Sequence, residues 1–143
     1  MDDQFKDYFP KLTDVEKKKT SEIDPKYNCI AWAFRDTTRH WWPNQRRSYW
    51  PHQVAGKSTL EAFQEWFAAD GWEETTNTKL ELGYEKVALF AKEGVPTHAA
   101  RLLDTGLWTS KLGQHIDISH AIEELDGPQY GAVLKVYRKL RRE

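Results

Sequence analysis

The sequence predicts an α+β domain: a short cysteine-bearing helix packed against an antiparallel sheet of about four to six strands, with one or two further helices covering it. Three observations predict this. Helix signals come first, with Asn28 ahead of an apolar run and Ser58 ahead of a periodic one. Strand signals follow, the clearest being Lys86-Val87-Ala88-Leu89-Phe90-Ala91. Finally, Asp104-Thr105-Gly106 separates two β-type runs as a hairpin turn does. At 143 residues the chain fits one domain with one core, spanning residues 1–143.

Residues 1–24 are rich in Lys, Asp and Thr, with few apolar anchors beyond Phe5, Tyr8, Phe9 and Leu12, so they are expected to wrap the surface. Asp24-Pro25 marks a turn, and Asn28 is placed to N-cap a helix over residues 29–35. Pro43, Pro51 and Gly56 punctuate a long loop over residues 37–57 that gathers Trp41, Trp42, Tyr49 and Trp50. Such large aromatics predict a satellite core under the loop, with the wall of a substrate groove as the alternative. Ser58 and Glu61 form a capping-box pattern, and Leu60, Phe63, Trp66 and Phe67 recur at helical spacing up to Gly71.

Beyond Gly71 the period changes. Residues 72–75 predict a short strand and residues 86–91 a longer one. Residues 98–103 and 107–112 form a hairpin; with a three-residue loop, Leu102 pairs with Trp108, Ala100 with Ser110 and His98 with Leu112. Strand alternation then sets His98, Ala100, Trp108 and Ser110 on one face, Ser110 diagonal to His98. Residues 118–125 predict a third helix capped by Asp117, and residues 131–137 a final strand. There is no internal repeat and no low-complexity segment.

Composition narrows the function classes. A formal net charge of -1 argues against a polyanion binder, and Lys135, Arg138, Lys139, Arg141 and Arg142 read as a strand end and solvated tail, so no nucleic-acid partner is expected. One cysteine forms no internal disulfide. The start, Met1-Asp2-Asp3-Gln4-Phe5-Lys6, is polar and no apolar stretch reaches membrane-spanning length, so the expected location is the cytoplasm, or outside by a route without a signal peptide, and no membrane partner is expected. No Gly-rich phosphate loop and no paired acidic dyad occur, and no cofactor is expected. His115, Asp117 and His120 have metal-ligand chemistry, yet nothing clearly completes the set; a capping Asp117 beside exposed histidines is the simpler expectation, and no metal is predicted.

Cys29 carries the chemical expectation. A thiol in a helix's first turn lies near the positive end of the helix dipole, which favours thiolate, the nucleophilic form. His98 is the candidate base, and Ser110 the group that orients it; a register shifted by one residue would offer Thr109 instead, and Asp117 is a third alternative. The backbone N–H of Cys29 is a candidate oxyanion donor and Tyr27 a second. Trp42, on the aromatic loop, and Lys111, able to hold a substrate carboxylate or depress the thiol pKa, complete the substrate-binding candidates. The competing reading makes Cys29 a small buried hydrophobe packed with Ile30 and Ala33.

Asn28-Cys29-Ile30-Ala31-Trp32-Ala33 at a helix start, His98 opening a hairpin and a polar residue on the return strand together resemble the NlpC/P60-type branch of papain-like cysteine hydrolases. Thr109-Ser110-Lys111-Leu112-Gly113 resembles a motif of papain-like proteins that carry Asn-Cys-x-x-Trp-Ala. The resemblance implies a papain-like fold, Cys29 as nucleophile, His98 as base and Ser110 as orienter. It departs at Ile30-Ala31, where a pair of small residues is usual, and at Thr97-His98, where Gly-His is usual. It also implies hydrolysis or acyl transfer at an amide bond of a peptide or protein, in the niches of cell-wall amidases, effectors and toxins, with a proteinaceous inhibitor as a further partner. Two alternatives stand beside it: a glutamine deamidase on the same Cys and His, and a catalytically silent interaction domain using the aromatic loop.

Overall fold

Val87, Ala88, Leu89 and Phe90 are buried in succession within one strand. Because strand side chains alternate, such a run is satisfied only by a sheet covered on both faces. The computed structural model builds that sheet; it describes residues 8–12, 18–21, 26–43, 45, 47–52, 57–112 and 116–141. In chain order the elements are β1 (Lys19–Ser21), α1 (Cys29–Ala33), α2 (Thr59–Ala69), β2 (Glu73–Thr75), β3 (Tyr84–Lys92), β4 (Val95–Leu102), β5 (Trp108–Lys111), β6 (Asp117–His120), a 3-10 turn (Ile122–Leu125) and β7 (Ala132–Leu140). The strands form a single seven-stranded sheet, β1-β6-β5-β4-β3-β7-β2, antiparallel throughout.

This is a β-rich fold, and it overturns the α+β, papain-like expectation of a Cys-bearing helix on an antiparallel sheet with further helices over it. The cysteine helix is only five residues long. It stops because the Phe34 N–H folds back onto the carbonyls of Ile30 and Ala31, and Arg35 turns into left-handed backbone at φ 65. Among the described residues α2 is the one helix longer than two turns. The third helix predicted over residues 118–125 is instead β6 followed by a 3-10 turn. Asp117 therefore caps nothing; it is a buried strand residue paired with Lys111 across the ladder. Ile116 and Ile118 pack into one core while Asp117 between them is buried against Tyr27 on the other side of the sheet, the two-faced alternation that a strand supplies. The sheet also exceeds the four to six strands expected, partly because part of the segment predicted to wrap the surface joins it as edge strand β1.

Other elements follow their local signals. The Ser58 hydroxyl accepts from the Glu61 N–H at 3.2 Å and Glu61 returns a carboxylate to the Ser58 N–H at 3.0 Å, a complete capping box on α2. In the β4–β5 hairpin the Leu103 N–H donates to the Leu107 carbonyl at 2.8 Å, Gly106 turns at φ 90, and Leu102 pairs with Trp108 as the three-residue loop predicts.

Two cores result. One face of the sheet packs Ala88, Phe90, Ala100, Trp108 and Ile118 against Phe9, Leu12, Leu125 and Tyr130. The other packs Val87, Leu89, Ala99 and Tyr137 against α1, α2 and the aromatic loop. Gly131, entering β7, is the tightest backbone position: at φ 77 a Cβ there would lie 2.1 Å from the Ala91 carbonyl oxygen. Gly131→Ala is therefore expected to cost at least about 2 kcal/mol of stability, read as a lowered urea midpoint with unchanged slope.

Candidate functional site

Cys29 opens α1 directly after its cap. The Asn28 side chain accepts from the Ala31 N–H at 3.1 Å and the Trp41 N–H at 3.0 Å, and donates to the Trp41 carbonyl at 2.8 Å, so one amide fixes both the helix start and the aromatic loop. Cys29 is buried, 7% exposed as a residue. Burial pushes its pKa up to about 11, against the opposing pull of the Ala99, Ile30 and Cys29 N–H groups and the Lys111 charge. Desolvation thus outweighs the helix terminus, whose single short turn supplies little field.

His98 does not meet this sulfur. Along β4, Ala99 belongs to the core that contains Cys29, so the neighbouring His98 side chain projects from the opposite face. There the imidazole stacks on Tyr130 with ring centroids 4.0 Å apart and meets Phe90 edge-on at 5.3 Å. Ser110 does reach it, as the hairpin register implied: the His98 Nε2 to Ser110 Oγ distance is 2.9 Å. The same hydroxyl lies 2.7 Å from His120 Nε2, and His120 Nδ1 lies 2.7 Å from the Ala121 carbonyl.

The carbonyl fixes the tautomers of this chain. It can only accept, so His120 Nδ1 carries the proton; its Nε2 then accepts from the Ser110 hydroxyl, which in turn accepts from His98 Nε2–H. Both rings are held neutral. Burial, then the proximity of His120, drives the His98 pKa well down; burial lowers that of His120 against the pull of the Ala121 carbonyl and Glu124. The predicted catalytic trio therefore divides: His98 and Ser110 touch, while Cys29 lies across the sheet.

On the Cys29 face a different polar group assembles. The Tyr27 hydroxyl donates to Asp117 at 2.7 Å, and Lys111 lies 3.9 Å from the same carboxylate and 4.3 Å from the Tyr27 ring centroid. Tyr27 stacks on Trp32 at 5.6 Å; the Trp32 indole donates to the Thr109 hydroxyl at 3.0 Å, which donates to the Ile118 carbonyl at 2.9 Å. The Arg101 guanidinium stands 5.2 Å from the Trp32 ring centroid. Tyr27 and Lys111 lie on the Cys29 side of the sheet, and Lys111 is fully buried and engaged by Asp117 and Tyr27. Thr109 faces this side and anchors Trp32, away from the His98 ring. Arg101 and Trp32 join the face without having been expected there. The sequence does carry a signal for them: two-residue alternation from Ala99 places Arg101 on the Cys29 face.

Among the described residues the aromatic loop forms no separate satellite core; it packs onto the helix-side core of the sheet. Trp42 and Trp50 meet Phe63 of α2 edge-on at 5.5 and 4.8 Å, and Trp41 stacks on Phe34 at 5.3 Å. Trp42, Tyr49 and Trp50 nonetheless stay half-buried, presenting their outer edges. Asp36 ties the loop, accepting from Thr38, Arg39 and the Trp41 indole; partial burial raises its carboxyl, but these donors win and hold it below the usual range.

Among the described residues no three of His, Cys, Asp and Glu come together as metal ligands; His115 lies outside those residues. Nor is any described helix long and apolar enough to cross a membrane.

Fold and site together define a β-rich domain with a sealed thiol and a polar, aromatic face beside it. The chain belongs to a family described as a domain of unknown function (DUF7689), whose model matches residues 18–138. No curated protein and no solved structure matches it.

Proposed function

We propose that this chain is a binding domain, catalytically silent at Cys29, which engages a peptide or protein partner through the aromatic face on the helix side of its sheet. The observation that carries the reading is the placement of Cys29 and His98 on opposite faces of β4. A Cys–His hydrolase needs its base within hydrogen-bond reach of the thiol, and a sheet stands between them. The half-buried Trp42, Tyr49 and Trp50 supply the amphipathic rings that dominate contact energy at protein interfaces, and the Arg39 guanidinium, 3.4 Å from the Tyr49 centroid, adds charge to the same surface. The place of action under this reading is the cytoplasm, or outside the cell after export.

A second reading, thiol-dependent hydrolysis or acyl transfer at an amide bond, including glutamine deamidation, is favoured by one observation. Three N–H groups, from Cys29, Ile30 and Ala99, converge on the sulfur together with the Lys111 charge, an arrangement suited to a developing anion.

Iodoacetamide kinetics separate the two. A thiol with a pKa of about 11 carries far less thiolate at pH 7.5 than free cysteine, so Cys29 is expected to react about two orders of magnitude more slowly, and at the ordinary rate once unfolded in urea. Modification faster than free cysteine at pH 7.5, abolished by Cys29→Ser, would overturn the binding reading in favour of the second.

A further inference from the structure

We propose that Trp32, Arg101 and Arg35 form a carboxylate site, taking an acidic side chain or chain end of the partner; the inference rests on the binding reading above and names the chemistry recognised. Arg101 stands over the Trp32 ring, which is itself fixed through its indole N–H to Thr109. Its Nε is buried without a hydrogen-bond partner. A guanidinium nitrogen withdrawn from water and left unmatched costs free energy that an incoming oxyanion recovers.

The described arginines make the contrast. Arg39, Arg138 and Arg141 are each ion-paired, to Asp36, to Glu73 and Glu81, and to Asp104. Arg101 and Arg35, like the exposed Arg47 of the aromatic loop, have no carboxylate within 4.0 Å among the described residues, and of the three only Arg101 is partly buried. Arg35 follows α1 immediately, its N–H donating to the Trp32 carbonyl at 3.0 Å, in left-handed backbone at φ 65 that sets its exposed side chain beyond the helix end. Burial lowers the Arg101 pKa first and the Arg35 charge lowers it next, while Glu85, Asp117 and Asp104 act more weakly in the opposite sense. Two cations set against each other beside an aromatic plate are relieved by one anion between them.

A carboxylate fits better than a point anion. The planar guanidinium fork pairs with it through two parallel N–H bonds, and the indole face supports a flat group beside that fork. Arg101 also lies two positions along β4 from Ala99, the residue that touches the Cys29 sulfur, so the anion site adjoins the sealed thiol.

The test is an NMR titration of the full chain, following the Trp32 indole N–H, assigned by its loss in Trp32→Phe, with three probes: N-acetylglutamate, the neutral N-acetylglutaminamide, whose carboxyl groups are both amides, and inorganic phosphate. N-acetylglutamate is expected to shift the signal saturably in the millimolar range, at least fivefold more tightly than either other probe. Arg101→Gln should weaken it tenfold or more, Arg101→Lys nearly as much because the fork is lost, and the exposed Arg35→Gln about threefold. No saturable shift, an equal response to N-acetylglutaminamide, tighter binding of phosphate, or indifference to Arg101→Gln and Arg35→Gln overturns the assignment. Cys29→Ser should leave the titration unchanged. Rapid alkylation of Cys29 would thus sink the binding reading while the carboxylate site stood, and a silent titration with an inert thiol would sink the carboxylate site alone.

Discussion

Asp117→Leu is expected to lower folding stability by about 3–5 kcal/mol, a large part of the total for a domain of this size. Asp117 and Lys111 are both fully buried and directly paired across the β5–β6 ladder. Their 3.9 Å separation makes the direct attraction modest, so the cost does not arise from removing a strong ion pair. It arises from the groups that stay behind: an ammonium deep in the sheet without the carboxylate that faces it, and a Tyr27 hydroxyl without its acceptor. The double variant Lys111→Met/Asp117→Leu should therefore recover most of the loss, since an apolar pair of similar volume avoids desolvating two charges. Urea unfolding of the two single variants and the double gives the coupling directly. A cost below about 1 kcal/mol for Asp117→Leu, or a double variant worse than the sum of the singles, contradicts the account.

That network shows where sequence reasoning held and where it stopped. Signals closed within a few residues survived folding: the Ser58–Glu61 capping box and the hairpin register that puts Ser110 against His98. Local register fixes which residues share a face, but not which face a distant helix covers. The side of the sheet that α1 occupies is decided by the whole apolar pattern of β3, β4 and β7, and that choice set Cys29 against Ala99 rather than His98. The same non-locality hid β6. Glu123, Glu124 and Leu125 are strong helix formers, and their pull extended a helix back over residues whose period of two, Ile116, Ile118 and His120, is satisfied only by β5 and β1 from elsewhere in the chain. At Cys29 the helix-dipole argument was sound in sign but incomplete, because it held no information about burial.

The buried imidazoles make the fold acid-sensitive in a window that identifies them. His98 and His120 have pKa values below the unfolded value of 6.5, so between the folded and unfolded values the unfolded chain binds more protons. The stability they confer is fully present above about pH 6.5 and is lost as pH falls below it toward the folded values. Stability should thus decline from pH 7 to pH 5 with a slope approaching about 1.4 kcal/mol per pH unit for each imidazole, nearly doubled when both contribute. The carboxylates held low by their partners, Asp36 and Glu124, titrate below this window and cannot produce it. Protonation has nowhere favourable to go. His98 is walled by Phe90 and Tyr130, and a charged His120 would turn its Nε2 from acceptor to donor, leaving the buried Ser110 hydroxyl proton without the acceptor it now has. His98→Phe keeps the stack on Tyr130 but removes one titrating group, so it should flatten the pH 7 to 5 decline by about half even where it lowers stability at pH 7. Denaturant midpoints at half-unit pH intervals measure this, and a wild-type profile flat across that window would mean that the Ser110-bridged imidazoles are not neutral in the folded protein.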